Sequence, residues 1–492
     1  MKILYFFSPE ITITIALLLL LIIEVIFPKR GSIAFLFSIL ALLIAGYFSF
    51  NQLLTIDRKF YEDIANLYQT QEYVKYILQS VSVGPIERMF DIIFILGTLL
   101  FVFLSYGYFK NKASGDYYFL VFCALLGSLI IQKSENWATF ILSLEILSFS
   151  LYALVGYRRD YFSYESATKY FFIGAFSSSF LIIGIGFFYL ITGTMSFEGI
   201  FQYFSIKSLF QLFQSKDFIA LLGLLFLFVG FGFKISAVPF YFWTPDVFEG
   251  SPSPVAGYIA TISKAAIFAI LLKLLQGMLS SYPKLWESII LWISVFTMII
   301  GNLAALRENS IKKILAFSTV ANAGYILTAI YSGGISGFES ILFFLFTYTI
   351  VTFGAFAIVQ LTLENNTNIE NLRGLYKTSP FLAISLAVFM LSLAGIPPLV
   401  GFFAKFYIAY SILNAGDIGL AIWLFINGVI SYYYYLKVVY YAFSDGQEVK
   451  VISEPVVLFL IPILAILTIF LGIFPNTILE LISSIFIRFT GG

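Results

Sequence analysis

Apolar runs of about 20 residues, separated by short polar or turn-forming stretches, follow one another along the whole chain. A run of that length, wound as an α-helix, crosses the ~30 Å hydrocarbon layer of a bilayer. The runs lie at about 8–27, 31–50, 88–109, 116–133, 136–157, 167–192, 217–243, 252–277, 285–305, 312–332, 337–363, 379–413, 416–443 and 454–474. The pattern predicts an all-α polytopic membrane protein of about fourteen transmembrane helices, numbered here as spans 1 to 14. The first run does not read as a cleaved leader, because it is long, contains Glu24 and leads into further spans.

Two connections are long enough to hold structure. Residues 51–87 place Ile56, Phe60, Ile64, Leu67, Val74 and Val81 among charges, and residues 197–216 repeat the pattern with Phe197, Phe201, Phe204 and Phe210. Both stripes have helical spacing and predict helices lying on the membrane surface or against the bundle. Neither segment is large enough for a separate extramembrane domain, so residues 1–492 read as a single membrane domain. Lysine and arginine concentrate in the loops after odd-numbered spans: Lys29, Arg30, Lys110, Lys112, Arg158, Arg159, Arg307, Arg373, Lys377 and Lys450. Loops after even-numbered spans hold Lys133, Lys207, Lys216 and Lys284, with Arg58, Lys59 and Lys75 in the long 51–87 segment. By the positive-inside rule both termini are expected on the non-cytoplasmic side.

Composition sharpens this picture. Hydrophobic residues make up 60% of the 492, charged residues only 11%, and 28 Lys+Arg nearly balance 27 Asp+Glu. A soluble globule must wet more surface than so few charges allow, a disordered chain would be polar, and a nucleic-acid binder would be basic. The chain has no histidine, which removes the usual neutral-pH proton carrier and the commonest metal ligand. Cys123 is the single cysteine, so no internal disulfide or cysteine-ligated cluster is available, and it reads as a small hydrophobe in a packed helix.

The few charges inside spans carry the chemistry, since each costs several kcal/mol in hydrocarbon. Near span ends the side chain can snorkel to the interface, which accounts for Lys273 and is expected for Glu10, Glu24, Lys169 and Glu339. The mid-span set is Glu145, Lys234, Lys264, Lys405 and Lys437. Two of these lysines lie beside helix breakers: Lys234 in GFGFKISAVPFYFWTPD, with Pro239 and Pro245, and Lys405 in LSLAGIPPLVGFFAKF, with Pro397 and Pro398. A proline within a span frees carbonyls that lipid cannot satisfy, and paired broken helices mark ion sites in transporters. The spacings 405 − 234 = 171 and 437 − 264 = 173 fit a duplication. Burial disfavours the charged form of a lysine, and a carboxylate at ~4 Å restores it by about 4 kcal/mol at an effective dielectric near 20. Moving that influence loads or releases a proton. Glu145 is the mid-span acid suited to this role.

Several ordered motifs resemble one family. They are LSLEILSFSLYALVGYRRD (142–160), ATKYFFIGAF (167–176), LITGT (190–194), GFGFKISAVPFYFWTPDVFEGSPSPVAGYIATISKAAIF (230–268), GNLAALRENSIKKILAFSTVANAGYIL (301–327), LSLAGIPPLVGFFAKFY (391–407) and NGVISYYYYLKVV (427–439). Together they are similar to the antiporter-like membrane subunits of respiratory complex I, and FKISAVPF with NGVISYYYYLKVV favours subunit N of NADH-quinone oxidoreductase. The resemblance implies two inverted five-helix repeats, with discontinuous helices at spans 7 and 12. The N-terminal spans 1–3 then cover 1–115, repeat one covers 116–277, repeat two 285–443 and the C-terminal span 454–492. It implies one proton path, with Glu145 and Lys234 as a charge-coupling pair, Lys264 as the central lysine and Lys405 as the terminal one. Lys169 matches a family lysine at the start of span 6, and Lys437 a position that usually carries a basic residue. Tyr241 and Asn322 stand where the family commonly has histidine, and an amide cannot titrate in the required range. A route of lysines and water is expected.

The resemblance implies a proton-translocating subunit of an NADH:quinone oxidoreductase in a prokaryotic cell (inner) membrane. Its expected partners are the lipid bilayer, protons, and neighbouring antiporter-like and small membrane subunits, without nucleic acid. No redox centre is expected in this chain, and FMN, iron–sulfur clusters and quinone belong to other subunits on this reading. Two alternatives stand beside it. One is a subunit of a multisubunit cation/proton antiporter; the other is a structural subunit whose charges only hold helices together and whose channel is silent.

Overall fold

The computed structural model describes residues 2–28, 30–55, 72–109, 114–206, 218–278, 283–364 and 366–490. Among these, thirteen helices are long and apolar enough to cross a membrane. Their cores are span 1 (Ser8–Ile26), span 2 (Gly31–Thr55), span 3 (Pro85–Phe109), span 4 (Gly115–Lys133), span 5 (Trp137–Val155), span 6 (Tyr161–Thr192) and span 7 (Phe218–Ile235). Then come span 8 (Ser253–Met278 in three segments), span 9 (Pro283–Arg307), span 10 (Ile311–Ser332), span 11 (Gly334–Thr362), span 13 (Ile418–Phe443) and span 14 (Pro455–Ile473). The remaining expected span, 379–413, consists of two 15-residue helices in series, Pro380–Ala394 and Val400–Asn414. The fold is therefore the expected all-helical membrane bundle.

Helix starts are written in the sequence. Asn136 accepts from Thr139 N at 2.8 Å, Asp160 and Ser163 form a capping box, and Asp417 accepts from Leu420 N at 2.9 Å. Burial then sorts the spans. The apolar windows of spans 8, 10 and 11 are 100%, 94% and 94% buried, whereas spans 1, 6, 9 and 13 hide only 33–39% of theirs. A helix apolar all round and enclosed all round is a core helix; one with an open apolar face looks at lipid or at a partner. Spans 6 and 7 approach closely because Gly184 faces Gly223, where an added Cβ would lie 2.8 Å from the Gly223 carbonyl oxygen.

Of the two connecting helices expected from the sequence, Glu72–Ser80 and Phe197–Ile206 are present. Ile56, Phe60, Ile64, Leu67 and Phe210 lie outside the described residues, as do Lys29, Arg58, Lys59, Lys110, Lys112, Lys207 and Lys216. Phe197–Ile206 rests on the bundle: Phe197 and Phe204 are fully buried, and Phe197 packs edge-on against Trp137. A further helix, Asn476–Thr490, follows span 14.

Candidate functional site

Span 7 stops at Ile235 because Ser236 takes a left-handed backbone, φ 61°, a conformation that needs support in a residue other than glycine. The support is local. Thr244 Oγ1 donates to Ser236 Oγ at 2.9 Å, and the Trp243 indole donates at 3.1 Å to the carbonyl of Phe233, which also accepts from Ser236 N at 3.2 Å. After the break, which contains Pro239, the chain resumes as the short helix Thr244–Gly250. Lys234 sits in the last turn before the break, where the helix dipole favours a cation, and donates to Ser148 Oγ of span 5 at 2.9 Å. Glu145 is half-buried one turn before Ser148 on the same helix. It is not in ion-pair contact with Lys234, and its Oε1 has no hydrogen-bond partner among the described residues. A cavity of about 20 Å³ lined by Ser148, Tyr170, Lys234, Trp243 and Ser263 adjoins the lysine, enough for one or two waters.

Lys264 lies at the centre of span 8 and is 3% exposed. It follows a π-helical stretch, Ile259–Ser263, a local widening often found at functional positions. Its ammonium has no hydrogen-bond partner among the described residues.

The span 12 break runs from Gly395 to Leu399 and contains Pro397 and Pro398. Gly395 is left-handed, φ 90°, and closes the helix Pro380–Ala394. Lys405, on the helix beyond the break, folds back and donates to the carbonyl of Ala394 at 2.8 Å. It adjoins a second cavity of about 20 Å³, lined by Asn322, Tyr348, Ser392 and Gly401 among others. The 171-residue spacing therefore does not place the two lysines alike. Lys234 precedes Pro239 by five residues (239 − 234), whereas Lys405 follows Pro397 by eight (405 − 397).

Lys169 and Lys437 sit nearer a membrane face. Lys169 is 43% exposed and pairs with Glu165 and Asp246, both at 2.9 Å. Lys437 is six residues from the end of span 13 and donates to Asn309 Oδ1 at 2.7 Å and the Glu308 carbonyl at 3.2 Å. Its bonds to the loop after span 9 put it at the membrane face rather than mid-span. Asn322 shares the Lys405 cavity, and Tyr241 lies in the span 7 break with its ring 6.2 Å from Phe317.

Two buried charge clusters complete the inventory. Arg88 pairs with Glu10 at 3.0 Å and Asp91 at 2.5 Å, and Lys133 pairs with the same two acids, closing a four-membered ring. Glu10 thus does not snorkel; it is 8% exposed and ties span 1 to spans 3 and 4. Lys133, expected in a loop, is 1% exposed. The ring escapes sequence reading because its members are up to 123 residues apart; only the Arg88–Asp91 spacing of three was visible on one helix face. At the opposite end of span 3, Glu364 accepts from Lys312 at 2.9 Å, from Tyr108 at 3.0 Å and from Ser253 Oγ.

The description NADH:quinone oxidoreductase/Mrp antiporter, TM, covers the family that matches residues 134–431, more than half of the chain. The NADH-quinone oxidoreductase subunit N of Trichlorobacter lovleyi is 34% identical over 485 residues, covering 96% of this chain and 94% of that protein. The chain belongs to the NADH-quinone oxidoreductase subunit N family. Another member, from Ruthia magnifica, is 30% identical and covers 97% of both chains. Among solved structures, a chain of respiratory complex I from Thermus thermophilus with bound aureothin matches 96% of this one, with a TM-score of 0.74 and 28% identity. The Mrp complex from a Dietzia species shares the fold, with a TM-score of 0.79 at 17% identity.

Proposed function

We propose that this chain is the proton-translocating membrane subunit of an NADH:quinone oxidoreductase. Quinone reduction elsewhere in the complex drives proton transfer through Glu145, Lys234, Lys264 and Lys405, with Lys169 and Lys437 as a secondary path toward one face. What carries the reading is the arrangement of the lysines. Lys234 and Lys405 each lie at a helix break beside a water-sized cavity, and Lys264 is buried in the most enclosed span. Lysines held by hydroxyl and carbonyl dipoles keep a proton that a neighbouring carboxylate tightens and whose withdrawal loosens. Glu145, near Lys234 but not bonded to it, is placed to be that charge. The two inverted repeats, 116–277 and 285–443, belong to this reading, each with one broken helix.

Electron carriers are assigned to other subunits: FMN, iron–sulfur clusters and the quinone site. A prokaryotic cell (inner) membrane with both termini on its non-cytoplasmic side fits the loop charges better once Lys133, buried in its ring, no longer counts against it. The test is proton pumping by the assembled complex in liposomes with Lys264→Ala. NADH oxidation coupled to no pumping, or to pumping reduced roughly a hundredfold, is expected for a lost proton-transfer group. Native pumping in that variant would refute the role.

A further inference from the structure

Lys405 has a supporting residue that Lys234 lacks. Its ammonium lies 5.1 Å from the ring centroid of Tyr325, within the range of a cation–π contact. Tyr325 comes from the middle of span 10 and is 1% exposed, so the contact is desolvated. The lysine reaches it because Gly395 clears the way: an added Cβ there would meet Lys405 Cδ at 3.0 Å. On the other side the ammonium holds the Ala394 carbonyl at the C-terminal, negative end of the half-helix Pro380–Ala394.

The titratable groups facing Lys405 can be named element by element. Span 10 presents Tyr325, span 11 presents Tyr348 across the shared cavity, and span 13 presents Tyr432, whose hydroxyl donates to the Gly395 carbonyl at 3.4 Å. Pro380–Ala394 and span 14 present no titratable side chain, and Tyr407 follows Lys405 on its own helix. Among the described residues no carboxylate is in ion-pair contact with Lys405. The charged form must therefore be held by dipoles and by an aromatic face.

We propose that Tyr325 is a positioning residue for proton transfer, its ring standing at Lys405 where Glu145 stands for Lys234 and setting how tightly the lysine keeps its proton. This rests on Lys405 being a proton carrier, as proposed above. A ring face responds to no protonation event of its own at working pH, so the Lys405 end is a fixed well, and the Glu145 end is the adjustable one.

The test uses the assembled complex in liposomes, with Tyr325 replaced by phenylalanine and, through an expanded genetic code, by a trifluorinated phenylalanine. Fluorine withdraws charge from the ring face and changes its shape little, so folding is preserved. Two readouts are taken: the pH profile of pumping, and infrared titration of the Lys405 ammonium. Phenylalanine should leave both nearly native. The fluorinated ring should move the alkaline limb and the titration about one pH unit lower, tenfold in proton binding. Coincident titrations for the two replacements would overturn the proposal. Lys405→Ala separates the two claims: native pumping there removes Lys405 as a carrier, and the infrared titration still decides what Tyr325 does to it.

Discussion

Four charges near one membrane face and three lysines in the membrane's middle meet the same solvation penalty in opposite ways. Glu10, Arg88, Asp91 and Lys133 neutralise one another in a closed ring, every member bonded to two of opposite sign. Among the described residues, Lys234, Lys264 and Lys405 have no carboxylate in contact; a serine hydroxyl holds the first, a carbonyl and a ring the third. A proton leaving the ring would strand an opposite charge in a dry site, so the ring's charges are fixed. A lysine solvated by neutral dipoles gives up its proton and leaves those dipoles satisfied by water. Pairing immobilises charge, and neutral solvation keeps it exchangeable. The first region fastens helices, and the second is the proton path proposed above.

Breaking the ring on one side is the harshest test of that distinction. Asp91→Ala leaves two cations sharing Glu10 and should cost about 3–5 kcal/mol, read as loss of assembled complex in thermal or denaturant challenge. Replacing all four members by apolar residues of similar volume should return most of that stability, with pumping intact. Pumping lost in an assembled, stable four-fold variant would show that the ring conducts and would erase the contrast. Next in size, Ser148→Ala removes a hydrogen bond to a charged group, about 1.5–3 kcal/mol. Pumping should change about tenfold or more, with a loss of thermal stability no larger than that hydrogen bond. A variant that melts early yet pumps normally would mean that Ser148 only fastens spans 5 and 7. The smallest effect is expected at Asn136→Ala, which removes the N-cap of span 5. It should lower stability by ~1 kcal/mol and leave the pH profile of pumping unmoved, since the cap lies two turns from Glu145. A shifted profile would show that helix position, and not only charge, tunes Glu145.

The spans were legible because a bilayer demands long apolar helices and little else has that pattern. The breaks were legible because proline beside a buried lysine has few other uses. Lys234, Lys264 and Lys405 lie deep in the bundle where the run arithmetic placed them. Ser148 could not be picked out: serines in apolar helices ordinarily bond their own backbone, as Ser128 and Ser150 do at i−4, and only the tertiary approach of Lys234 sets Ser148 apart. Lys437 misled because an apolar run marks a helix but not the depth of each turn, and its neighbours Glu308 and Asn309 are supplied by another loop. Tyr325 looked like one of many aromatics until Lys405 was seen folded back over it.

The π-helical stretch ahead of Lys264 is also a setting of rotation. A π turn holds one residue more than an α turn, so Ile259–Ser263 advances the helix by an extra residue without advancing its axis by a full step. Ser253, at the base of span 8, is anchored to Glu364, while Lys264 is eleven residues on (264 − 253). Wound as plain α-helix, the same eleven residues would swing the lysine by roughly 100° about the axis. The winding of this stretch, and not only the identity of its residues, aims the central charge.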